Sequence, residues 1–267
     1  GPRMSIVAGR IVVVSGAGDL GTGCIVRLVR SGFRVVALET ARPSAIRRTV
    51  SLSEAMYDGE ASVEGVRAIR CGSVPEAWSP GDPVPVLEDP EGRSVVRLSP
   101  VVLVDAILAK RNLGTSLDMA PVVVALGPGF EAGRDAHAVV ETNRGHDLGR
   151  VILEGCAQVD TGVPGLIAGQ GRDRVIRAPV AGTVELHCGI GDTVEAGYRL
   201  LSVGGVAVPA AIGGVVRGLI RQGFDAPAGL KVADVDPRCI REHCLTVSDK
   251  ARAVGGGVLE AILALAS

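Results

Sequence analysis

The 267-residue sequence predicts an α/β fold, with a domain built on a parallel sheet, then an all-β domain, then a closing helix. Three observations carry this reading. Residues 10–15 and 34–39 are β-branched runs on either side of a glycine-rich turn and a segment of helical apolar spacing, which makes one strand–helix–strand unit. Residues 174–236 repeat at an offset of 32, with short strands between glycine turns. Apolar residues make up 47% of the chain but only six residues are aromatic, so the core is built from Val, Leu, Ile and Ala, a composition suited to buried parallel strands.

The elements follow in order. Residues 10–15 run into Gly16-Ala-Gly-Asp-Leu-Gly21, after which Leu20, Cys24 and Leu28 fall on one helical face. Residues 34–39 give the second strand. Residues 43–98 carry Pro75, Pro80, Pro83, Pro85 and Pro90 and a hairpin-like stretch at Glu64-Gly65, so regular alternation breaks there. Residues 101–104 and 122–126 read as later parallel strands, the first followed by a short helix. Together these predict a Rossmann-like nucleotide-binding domain over residues 5–147.

A β-rich domain is expected over residues 148–245. Gly182, Gly191 and Gly197 recur as Gly214, Gly223 and Gly229, and Ala178, Val184, Leu200 and Val203 recur as Ala210, Val216, Val232 and Val235. Residues 178–184 followed by 191–197 resemble the biotinyl/lipoyl-type barrel-sandwich hybrid. Carriers of that family attach their group to a lysine in the central hairpin, and this chain has no lysine between Lys110 and Lys231. A scaffold or docking module without biotin or lipoate is therefore expected. Residues 246–267 form the C-terminal segment and helix.

Gly16-x-Gly18-x-x-Gly21 follows a strand and opens a helix, the context in which glycines let a phosphate approach backbone amides. Glu39 ends the second strand, where a ribose hydroxyl would be accepted. Asp19 complements the helix dipole but repels a pyrophosphate. Arg47 and Arg48 are candidates for a further anion, since guanidinium forks suit phosphate. Asp105 closes the strand at 101–104, and Lys110 and Asn112 follow it. The chain has 25 arginines but three lysines and two asparagines, which singles out Lys110, Asn112 and Asn143. Gly127 and Gly129 form a second turn, and Glu141 with Asn143 a polar cluster beyond it. Asp105, Lys110, Asn112 and His137 are the catalytic candidates; the glycines, Asp19, Glu39, the two arginines, Glu141 and Asn143 are the cofactor-binding ones. His137 and His146 do not have a metal-ligand spacing, and no metal is expected. Residues 234–238 and Asp249-Lys250, leading into Gly255-Gly-Gly257, suggest a second anion site at a helix start.

A formal net charge of −1 gives no electrostatic case for nucleic acid or a membrane surface. No apolar run is of membrane-spanning length, and a cytoplasmic protein is expected. Six scattered cysteines without a CxxC fit reduced thiols.

Seven stretches together resemble the YqeB-type family, accessory proteins of the selenium-dependent molybdenum hydroxylase system: residues 16–20, 45–48, 104–115, 127–130, 141–149, 234–238, and 248–252 with 255–260. The resemblance implies a role in maturing or supplying the selenium-containing molybdenum centre, with a molybdenum hydroxylase or its maturation machinery as partner. It transfers no catalytic residue. The nucleotide is left open among NAD, NADP, a nucleoside triphosphate and molybdopterin dinucleotide, as is a homo-oligomer. The alternative is an NAD(P)-dependent oxidoreductase acting on a small molecule, with Lys110 as acid and Asp105 or His137 orienting it; whether the protein is an enzyme stays undecided.

Overall fold

The computed structural model describes residues 10–266, which divide into two compact units. The first takes the chain through Pro43, then Ser51–Asp160, and again from Val247. The second takes Ser44–Val50 and Thr161–Thr246. The C-terminal helix is thus part of the first unit.

In chain order the first unit contains β1 (Ile11–Ser15), α1 (Asp19–Arg30), β2 (Arg34–Glu39), the single turn α2 (Ala55–Asp58), β3 (Glu60–Val63), β4 (Val66–Cys71), β5 (Val84–Glu88), α3 (Ser94–Leu98), β6 (Val102–Asp105), β7 (Val122–Leu126), β8 (Glu131–Ala132), β9 (Ala138–Val140), β10 (Val151–Ile152) and β11 (Gly155–Cys156). Nine strands form one sheet in the order β10-β9-β7-β6-β1-β2-β5-β4-β3. The seven inner strands, β9 through β4, pair in parallel. Both edges, β10 on β9 and β3 on β4, are antiparallel. Val12, Val13 and Val14 of β1 are fully buried at the centre, as continuous β-branched runs in parallel strands are.

One face of the sheet is covered by α1 and by α4 (Asp249–Leu265), which pack on each other. Ser248 caps α4 by accepting the amide of Ala251 at 3.0 Å. The helices approach closely because both carry glycine where they cross. A Cβ on Gly23 would lie 2.6 Å from the Ala251 carbonyl oxygen, and one on Gly255 would lie 2.7 Å from that of Gly23. The core cluster on the other side joins Val13, Val36, Leu103, Val123 and Val139 of the strands to Trp78, Val95, Ala120, Phe130 and Ala136, which come from loops and the short α3. Arg34 stacks its guanidinium 5.3 Å from the Trp78 ring centre, so even this loop is fastened to a strand.

The second unit is all antiparallel, with β12 (Val175–Arg177), β13 (Gly182–Leu186), β14 (Thr193–Val194), β15 (Arg199–Val203), β16 (Val206–Pro209), β17 (Gly214–Leu219), β18 (Asp225–Ala226) and β19 (Lys231–Asp236). Two four-stranded sheets result, β12-β19-β17-β14 and β16-β15-β13-β18. The starts of β13, β14 and β15 recur 32 residues later as those of β17, β18 and β19, so the repeat in sequence is a repeat in structure. Its glycines recur for a steric reason. A Cβ on Gly182 would lie 2.5 Å from Gly204 Cα, and one on Gly214 would lie 2.3 Å from the carbonyl oxygen of Asp236, the residue equivalent to Gly204.

The expected fold class is corrected by these layers. A Rossmann-like domain followed by a barrel-sandwich hybrid and a separate helix is not the architecture; the protein has a large mixed sheet and a pair of antiparallel sheets. A doubly wound sheet needs helices on both faces, whereas here one face is covered mainly by loops. The path from β2 to β5 is filled by a hairpin, and the helix expected after residues 101–104 is absent. Residues 106–116 cannot wind as one because Leu108 and Lys110 both adopt φ of 60°.

Candidate functional site

The glycine turn lies between β1 and α1 in the first unit. Gly16 has φ of 92° and sits so close to the next strand's exit that a Cβ would be 2.6 Å from the Ala106 carbonyl oxygen. Gly21 faces back onto the turn, where a Cβ would be 2.1 Å from the Gly16 carbonyl oxygen. Gly18 differs. It precedes the 12-residue α1 with no side-chain cap, and a Cβ built on it meets nothing within 4 Å. Asp19 turns its carboxylate onto the Leu20 amide at 2.9 Å, taking one of the donors that a helix start offers an anion.

The centre of the turn is held from two sides. The Ala17 amide donates to Glu39 Oε1 at 2.7 Å, and Thr40 donates to Oε2 at 3.0 Å. The Ala17 carbonyl accepts from the Ser53 amide at 2.9 Å and from Thr22 Oγ1 at 3.0 Å, while Thr22 Oγ1 accepts from the Leu52 amide at 2.9 Å. Residues 51–54, which the motif gave no reason to single out, therefore fasten the turn, and Ser51, Ser53 and Glu54 are buried there.

Carboxylates at other strand ends do the same work. Asp105, ending β6, accepts from the Ile107 amide at 3.1 Å and from Thr115 Oγ1 at 2.7 Å. Glu141, following β9, accepts from the amides of Thr142, Asn143 and Gln158. Burial pushes the Glu39 and Asp105 carboxyls above the usual carboxylate range, and the hydrogen bonds offset part of that rise. All three side chains hold the loop that leaves their strand.

Asn112 closes a local turn, its Oδ1 accepting from Gly114 and Thr115 and its Nδ2 donating to the Thr115 carbonyl. Gly129 supports this loop from beneath, since a Cβ there would be 2.5 Å from Arg111 Cα. A Cβ on Gly127 would be 2.7 Å from Thr142 Oγ1. Lys110 pairs with Asp160 at 2.8 Å, with side chains 55% and 38% exposed. The amide side chain of Asn143 donates to Gln158. Gly16, Asp105, Lys110 and Gly129 thus meet through the 106–112 backbone at the carboxyl edge of the sheet, where open α/β sheets bind ligands.

Three candidates lie elsewhere. His137 precedes β9, beside Val123 in the amino-terminal half of β7, and its Nδ1 accepts the Val123 amide at 2.9 Å. That bond ties the imidazole to β7, away from the loop that joins Asp105, Lys110 and Gly129. Arg47 and Arg48 belong to the second unit, where Arg47 donates to the His243 carbonyl at 2.7 Å and Arg48 Nε to that of Leu219 at 2.6 Å. These bonds fasten residues 44–50 to the second unit instead of presenting a phosphate fork. Gly255, Gly256 and Gly257 are interior to α4, so the helix start lies earlier, at Asp249 and Lys250 after the Ser248 cap.

Residues 234–238 belong to a buried ion network. Asp234 accepts from Arg174 at 2.9 Å and from Arg217 at 2.6 Å, and Asp236 from Arg238 at 2.7 Å. Burial raises the Asp234 carboxyl, but Arg217, Lys231 and Arg174 together hold it below the usual range. A register irregularity between Val216 and Gly218 accompanies Arg217, whereas Glu185 and Ser202, the equivalents of Arg217 and Asp234 in the first copy, pair regularly. Arg174 and Arg217 are the members that no sequence motif pointed to. Among the described residues, no group of three or more His, Cys, Asp or Glu is arranged to hold a metal ion. No described helix is long and apolar enough to cross a membrane.

No protein-family model matches the chain. Among solved structures, similarity is found to an aspartoacylase family protein from Mesorhizobium loti (12% identity, 86% of each chain, TM-score 0.27). It is also found to a succinylglutamate desuccinylase from Silicibacter sp. TM1040 (13% identity, 86% of this chain and 85% of that one, TM-score 0.25). Likeness that weak supports no argument about activity. In sequence, the chain is 49% identical over 258 residues, 96% of its length, to the uncharacterized protein YqeB of Escherichia coli K12, and spans 48% of that protein. That identity supports a YqeB-type family for this chain, which corresponds to about half the length of its curated relative.

Proposed function

We propose that this chain serves the maturation of selenium-dependent molybdenum hydroxylases and that it binds a nucleotide or nucleotide-bearing pterin cofactor at the glycine turn. The maturation role rests on the family resemblance. The binding role rests on Gly18. Gly16 and Gly21 are glycine because the protein's own backbone leaves no room for a Cβ, but nothing in the protein crowds Gly18. A helix start whose N-cap residue carries no side chain suits a phosphate, whose charge the helix dipole favours. Asp19 sets a condition on the ligand: its carboxylate must swing off the Leu20 amide or accept a counter-cation beside the phosphate.

The test is a host strain lacking the gene, complemented with the wild-type protein or with Gly18→Val, and scored for activity and selenium content of its molybdenum hydroxylases. Both quantities are expected to fall in the deletion strain, to return with the wild type and to stay low with the variant. Normal hydroxylases in the deletion strain would overturn the maturation role. Turnover of a pyridine nucleotide with a small substrate by the isolated protein would replace it with oxidoreductase chemistry.

A further inference from the structure

We draw no further inference here: the strongest candidate, the apolar cavity of about 230 Å³ between the amino-terminal ends of β6 and β7 and the last turn of α4, lined by Phe33, Val102, Val122 and Ile262, carries nothing because nothing in the structure shows what covers it.

Discussion

Three consecutive glycines inside α4 should respond to alanine in opposite directions. An interior helical glycine costs about 1 kcal/mol relative to alanine, so the run gives up roughly 3 kcal/mol of helix propensity. At Gly256 a Cβ would lie 3.7 Å from the Arg27 guanidinium, an ordinary contact, so Gly256→Ala should recover up to ~1 kcal/mol. At Gly255 the Cβ would lie 2.7 Å from the Gly23 carbonyl oxygen and 3.1 Å from its carbon. The obstacle is backbone, and overpacking of this kind costs ~1–3 kcal/mol, which cancels or exceeds the propensity gain. Gly257 is tighter, at 2.3 Å from the Gly149 carbonyl oxygen and 2.8 Å from a Val140 methyl, and should be the most destabilising of the three. The expected order of stability is Gly256→Ala, wild type, Gly255→Ala, Gly257→Ala. Trp78 is the sole tryptophan and is buried in the first unit, so its fluorescence during urea unfolding reports the unit that contains α4. If all three alanines stabilise alike, the close packing of α4 on Gly23 and Gly149 is refuted; if Gly256→Ala destabilises as much as its neighbours, the helix faces are assigned wrongly.

Gly18→Val places a side chain in open space, so it should lower stability by no more than about 1 kcal/mol, the cost of a poor cap, while weakening nucleotide binding at least tenfold in calorimetric titration; unchanged affinity would remove the turn as a binding site. Asp234→Asn leaves Arg174 and Arg217 buried without their shared counter-charge and should cost the second unit about 3–5 kcal/mol, read by scanning calorimetry; a loss under about 1 kcal/mol would mean the network is dispensable. Because Asp234 and Asp236 titrate below their ordinary range when folded, their contribution is present above the unfolded carboxylate pKa and is lost as pH falls through the folded one. Glu39 and Asp105 have the opposite sign, since a raised folded pKa makes stability fall as pH rises through the acid range, so a neutral isostere at Glu39 or Asp105 should steepen the acid limb, whereas one at Asp234 or Asp236 should flatten it. Lys110→Gln breaks an exposed pair and should change the unfolding midpoint of the first unit by less than about 1 kcal/mol equivalent, so any loss of hydroxylase maturation in that variant would not be a folding effect.

What could be read from the sequence was whatever short-range sterics impose. The β1–turn–α1–β2 passage is a local consequence of β-branched runs around Gly16 and Gly21, and the 32-residue repeat was legible because Gly182 and Gly214 are required by the same close backbone approach. Strand ends were legible at Glu39 and Asp105, whereas the short β9 that Glu141 follows was not. The role of these carboxylates was not legible, because an acidic residue at a strand end is the same letter whether it faces a ribose or the amide two residues onward. The partners Ile107 and Thr115 of Asp105 are decided by a loop conformation with left-handed Leu108 and Lys110, which propensity would not choose. The scarcity of lysine singled out a position in the composition, but burial and pairing are set by the fold, and Lys110 turned out exposed and paired with Asp160. Arg47 and Arg48 failed for the longest-range reason: residues 44–50 leave the first unit and rejoin it at Ser51, an excursion that no local pattern encodes. Gly18 inverts this logic. Gly16 and Gly21 are explained by atoms the chain itself supplies and Gly18 is not, which is why the proposed phosphate contact is to be tested at Gly18.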